Sequence, residues 1–160
     1  MNRSVLYLCC ILLLSFCEIS QAQSNSYPKI QNLLDQTNGM RIQKSMFTYG
    51  NESLVSQSIT SDSFVITIED KQLGIKQRRY TQVPWGSKFK LYCSDVEDNK
   101  KLISCSLVFE SNFNENYTNI ESTQPESEPW QTSSIKIYLI KKNKVRDEFF
   151  DKIEPFRSYK

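Results

Sequence analysis

Lys88–Glu110 reads KFKLYCSDVEDNKKLISCSLVFE, and its pattern decides the fold. Facing residues in a hairpin have residue numbers of constant sum. With the turn centred on Asn99, Cys93 faces Cys105, Leu91 faces Leu107 and Phe89 faces Phe109, all on one face. The other face then pairs Lys88 with Glu110 and Tyr92 with Ser106. A single register thus yields an apolar inner face stapled by a disulfide and a polar outer face carrying an ion pair.

Outward from this hairpin the period of two persists. Gly50-Asn51 is a tight-turn signal, and pairing about it sets Ile42 opposite Ile59 and Met46 opposite Val55. Asp70-Lys71 is a weaker turn that pairs Ile68 with Leu73 and Ile66 with Ile75. A slip by one residue would bury Lys76 and Arg78, which favours this register. Val83-Pro84-Trp85-Gly86 is a turn or strand break before the stapled hairpin. Residues 111–132 carry Pro125 and Pro129 with little regular apolar spacing and read as a long loop. Alternation returns from Ser134 through Ile135, Ile137 and Leu139, with Tyr138 and Ile140 pointing to burial on the second face as well. Trp85 and Trp130 stand at element boundaries, where core packing or loop anchoring is the expected role.

Two helices flank the strands. Pro28 opens a short one through Ile30, Leu33 and Leu34, with Ser26 as cap and Asn38-Gly39 as stop. Val145, Phe149, Phe150 and Ile153 have helical spacing before Pro155. The expected fold is all-β: a mainly antiparallel meander of about seven strands, closed into a barrel or sandwich, with a short N-terminal helix and one C-terminal helix. This order of elements is similar to the architecture of the secreted lipocalins, although the Gly-x-Trp near their first strand has no counterpart in Met40–Tyr49. The resemblance implies a barrel able to carry a small apolar ligand.

The first 22 residues read as a cleaved secretion signal. Arg3 precedes an apolar run from Val5 to Phe16, and Ser20 and Ala22 occupy the −3 and −1 positions of a cut before Gln23. The run is shorter than the roughly 20 residues that span a bilayer. Residues 23–160 are then expected to form a single secreted β-rich domain, not an integral membrane protein. Cys9, Cys10 and Cys17 leave with the signal, so Cys93 and Cys105 should pair in an oxidising compartment. Asn51-Glu52-Ser53 and Asn116-Tyr117-Thr118 are glycosylation sequons.

The chain contains no histidine, which removes the usual general base and the commonest zinc ligand. With both mature cysteines paired, no thiol remains as nucleophile. No phosphate-cradling glycine loop is present. Asp95, Glu97 and Asp98 are the densest carboxylates, but they share a turn with Lys100 and Lys101, the pattern of a solvated surface. No catalytic residue, metal site or cofactor is implied.

Between Lys71 and Lys90 lie six basic residues and no acidic one. If their strands are neighbours, Lys76, Arg78 and Tyr80 share an outward face with Lys88 and Lys90 as a positive strip for an extracellular protein or sulfated glycan. The competing reading is internal balance by Glu110–Glu128, which holds five Glu and no basic residue. A net charge of +2 argues against nucleic acid. The expected function is therefore extracellular, non-enzymatic binding of a protein or anionic glycan, with carriage of a small apolar ligand as the alternative.

Overall fold

The computed structural model describes residues 27–43, 51–120 and 127–153. The proposed signal segment lies outside them. Seven strands form one antiparallel sheet that curls into a nearly closed barrel. They are β1 (Arg41–Gln43), β2 (Glu52–Ile59), β3 (Ser63–Asp70), β4 (Gly74–Thr81), β5 (Phe89–Val96), β6 (Asn99–Asn119) and β7 (Trp130–Ile140). Helix α1 covers residues 27–35 and helix α2 covers Val145–Ile153. Among the described residues no helix is long and apolar enough to cross a membrane.

The 21-residue β6 is the spine. It pairs with β5 over its first half, with β4 over its last residues, and with β7 over much of its length. Both β4 and β5 run antiparallel to β6, so they lie end to end like one interrupted strand. Residues 82–88 make the interruption: Gln82 takes a left-handed φ of 59°, and Pro84 has no N–H to continue a ladder. Val83 N–H instead reaches Asp62 O at 2.8 Å. The segment expected as a turn or strand break is thus a break.

The stapled hairpin has the register read from sequence. Phe89 pairs with Phe109, Leu91 with Leu107, Tyr92 with Ser106, and Cys93 with Cys105, whose sulfurs are bonded. Lys88 and Glu110 do not come within ion-pair distance. The opposite face, that of Phe89 and Phe109, joins a core in which rings follow one another from β3 to α2: Phe64–Tyr80 at 6.0 Å, Tyr80–Phe113 at 6.2 Å, Phe113–Phe109 at 5.4 Å, Phe109–Phe89 at 5.2 Å and Phe89–Phe150 at 6.0 Å. Trp85 is buried edge-on against Phe109, whereas Trp130 is exposed. Helix α2 buries Val145, Phe149 and Ile153 at four-residue intervals, as its spacing predicted.

Three expectations need correction. In the β3–β4 hairpin Ile68 faces Lys76 and Ile66 faces Arg78, not Leu73 and Ile75. Gly74 is the cause: its φ of 77° supplies the left-handed residue of a longer turn, which glycine adopts without steric cost. Asp70 Oδ1 closes that turn by accepting Gln72 N–H at 2.9 Å and Leu73 N–H at 3.1 Å. In the first hairpin Arg41 faces Ser53 and Gln43 faces Glu52, so Ile42 lies beside the start of β2 and not opposite Ile59; Met46 lies outside the described residues. Finally, β6 continues to Asn119 and β7 begins at Trp130, so most of 111–132 is strand. Its polar residues tolerate strand geometry because β4 pairs with Asn114–Asn119 along one edge and β7 with Phe113–Glu115 along the other.

The barrel closes without a ladder between β2 and β7. A bulge between Leu54 and Ser56 shifts the alternation of β2, leaves Val55 exposed and turns Gln57 inward, where it is fully buried. The Gln57 carboxamide donates from Nε2 to Tyr138 O at 2.8 Å and accepts Tyr138 N–H on Oε1 at 2.8 Å. Nε2 also donates to Thr37 Oγ1 at 3.0 Å. Gln31 of α1 repeats the device on β2, donating to Gln57 O at 2.7 Å and accepting Ile59 N–H at 3.1 Å. Each side chain presents one donor and one acceptor where a neighbouring strand would present a peptide.

Gln57→Leu keeps the side chain buried but leaves both Tyr138 backbone groups unpaired, at about 1–3 kcal/mol each. Urea unfolding should show a loss of at least about 2 kcal/mol; no measurable loss would mean that other contacts close the barrel. Cys93→Ala with Cys105→Ala should cost about 3 kcal/mol by the chain-entropy argument for a short loop, with the far-ultraviolet circular dichroism spectrum unchanged. Loss of the strand spectrum would show that the bond is needed to form the sheet.

Candidate functional site: a charged cavity on the concave face

The shifted β3–β4 register determines the site. It sets Arg78 and Tyr80 of β4 on the face of Phe64 and Ile66. The β4–β6 pairing sets Glu115 opposite Tyr80, and Tyr117 opposite Arg78. From the far side of β6, β7 contributes Thr132, Ser134, Lys136 and Tyr138, alternate residues of one face. Arg78, Tyr80, Glu115 and the four β7 residues surround a cavity of about 440 Å³ to which six strands contribute, with Gln43 of β1 and Glu52 of β2 also in its lining and Ile66 and Ile68 as its apolar part. Arg78, Lys136, Ser134 and Gln43 are exposed, so the cavity opens to solvent.

Arg78 is the electrostatic centre. Its Nη1 lies 3.8 Å from Glu115 Oε1, with the Glu115 side chain buried and Arg78 half exposed. Tyr80 is buried, and burial is the largest cause pushing its pKa up to about 12; the Glu115 carboxylate adds to the rise and Arg78 opposes it. Tyr138 is raised by burial and by Glu52, against the pull of Arg78. Tyr117 is raised by burial, again opposed by Arg78, with Glu52 and Asp70 adding. One guanidinium therefore acts on three phenols that also feel nearby carboxylates. Arg78 and Lys136 balance Glu52 and Glu115 in formal charge.

The residues expected as a positive strip are divided between two places. Lys76, Arg78 and Tyr80 do share a face, but it is the concave one, and Tyr80 is buried. Lys76 lies 3.8 Å from Asp70, and Arg78 lies beside Glu115, the internal balance that the acidic segment offered. Lys88 and Lys90 belong to the β5 end of the interrupted strand, so they do not stand beside Lys76 and Arg78. They border a separate cleft of about 520 Å³ with Phe89, Val108, Phe109, Glu110 and Phe150. Asn51 directly precedes β2, and Asn116 lies within β6 opposite Arg79 rather than on a loop. Sequence reasoning missed Glu115, hidden in what read as a loop, and Lys136, whose alternation with Ile135 and Ile137 was the available signal. Among the described residues no three His, Cys, Asp or Glu side chains are grouped to hold a metal ion.

Raised phenol pKa values couple stability to alkaline pH. The folded chain holds the Tyr80 proton that the unfolded chain releases near 10.0, so its contribution is complete below pH 10.0 and falls as pH climbs toward about 12. Ultraviolet titration should show a late phenolate component that Tyr80→Phe removes; a Tyr80 titrating near 10 would contradict the buried site. No protein-family model, curated protein or solved structure matches the chain.

Proposed function

We propose that this chain is a secreted, N-glycosylated, non-enzymatic binding protein that holds a small polar ligand in the concave cavity. The observation that carries the reading is the cavity itself, about 440 Å³ in volume and within the range of small-molecule sites. Its charge-balanced lining of hydroxyls, phenols and paired ions disfavours the fully apolar cargo expected from a lipocalin-like barrel. Secretion is supported by the leader pattern before Gln23 and by the Cys93–Cys105 bond, which suits an oxidising compartment. Asn51 and Asn116 are the proposed glycan sites.

A second reading, docking of an extracellular protein or sulfated glycan, keeps the support of Lys88 and Lys90, both exposed beside the Phe89 cleft.

Native mass spectrometry of the secreted protein from its own source tests the first reading. The chain should begin at Gln23, lose mass on glycosidase treatment and carry a small molecule that Arg78→Met releases. A ligand-free spectrum, together with heparin retention abolished by Lys88→Ser and Lys90→Ser, would replace it with the second.

A further inference from the structure

We propose that the concave cavity is built for a small zwitterion, with the ligand carboxylate on Arg78 and the ligand ammonium on Glu115. The proposal rests on the cavity being the ligand site and names the class of ligand.

Three observations carry it. The first is that Arg78 and Glu115 are neighbours without being satisfied by one another. Their closest N···O contact is 3.8 Å, beyond hydrogen-bond range, and no hydrogen bond joins them. Glu115 keeps only 7% of its surface exposed and lies with Arg78 against the Tyr80 hydroxyl, yet it still lines the cavity, where a carboxylate has acceptor positions beyond those one phenol can fill. Arg78 presents a planar fork suited to a carboxylate, and Glu115 offers acceptor oxygens to an ammonium.

The second is the balance of charge. A simple anion drawn to Arg78 would meet Glu115 a few ångströms away, and a simple cation drawn to Glu115 would meet Arg78. In either case attraction to one group is offset by repulsion from the other. An uncharged polyol would strip water from both ions without giving either a charged partner. A zwitterion replaces the water on both with charge-assisted hydrogen bonds. Lys136 and Glu52, one of each sign, leave this balance unchanged.

The third is spacing. Because the two ions adjoin, a ligand must carry its charges on the same or adjacent carbons to reach both. Ile66 and Ile68 then offer contact to an apolar substituent. An α-amino acid with an aliphatic side chain has this combination.

Isothermal titration of the full secreted protein, freed of ligand by dialysis, with L-leucine, N-acetyl-L-leucine and L-leucinamide tests the assignment. The three share a side chain and differ in charge. L-Leucine should bind about tenfold or more tightly than either analogue. Arg78→Met should bring L-leucine down to the level of L-leucinamide, and E115Q down to that of N-acetyl-L-leucine, each variant showing a wild-type circular dichroism spectrum. An analogue binding as tightly as L-leucine, or no binding by any of the three, overturns the zwitterion. The wider reading fails separately, when native mass spectrometry finds no molecule whose retention depends on Arg78.

Discussion

The structure depends on how its sheet is closed. β2 and β7 are joined by a buried carboxamide instead of a ladder, Gln57 bonding both backbone groups of Tyr138. Paired strands lie about 4.8 Å apart, and direct pairing would draw these walls together along their length. A side chain spans a wider gap while still satisfying the peptide groups at its far end. The seam therefore holds the barrel shut and leaves room on the concave face between Glu52 and Tyr138. Gln31 bonds the same stretch of β2 from α1, so the helix seals the edge that β7 does not reach.

The second organising feature is the interrupted strand formed by β4 and β5 along one edge of β6. Because the break falls at 82–88, the β5 half can pack Phe89 and Leu91 into the core under the disulfide while the β4 half presents Arg78 to the cavity. The same continuous β6 carries Phe109 and Phe113 into the ring-to-ring core and then Glu115 to Arg78. Rigid packing on one part of a strand thus fixes an ion pair on the next. Side chains placed on strands braced in this way are held more firmly than side chains on loops.

Sequence made the strand content, both helices and the stapled hairpin legible, because period two, helical spacing and two cysteines at matching positions all supported one register. Elsewhere the polar residues misled. Gly74 reset the β3–β4 hairpin through a turn conformation that apolar matching could not anticipate. Asn112–Asn119 looked like a loop because its strand character comes from partners on both edges and not from its own composition. Gln57 was invisible as a structural residue, since only the bulge after Leu54 turns it inward. The cavity could not be read at all, for its defining pair comes from β4 and β6 and required both misread segments to be placed correctly.

Those failures share a physical origin. The face of β3 carries Phe64, Ile66 and Ile68, and stability alone would put apolar side chains opposite them. Instead β4 presents Lys76 and Arg78, with Asp70 and Glu115 retained as buried counter-charges. Ion pairs in such places are seldom more stabilising than well-packed hydrophobic residues of similar size. A surface strand needs no such arrangement for solubility, because charges there can stay hydrated. The local rule that apolar strands face apolar strands is broken between β3 and β4, and departures of this kind concentrate at functional sites. The position at which hydrophobic matching failed as a guide to register is therefore the position at which the chain has exchanged apolar packing for paired charge, and it is on this exchange that the proposed ligand site rests.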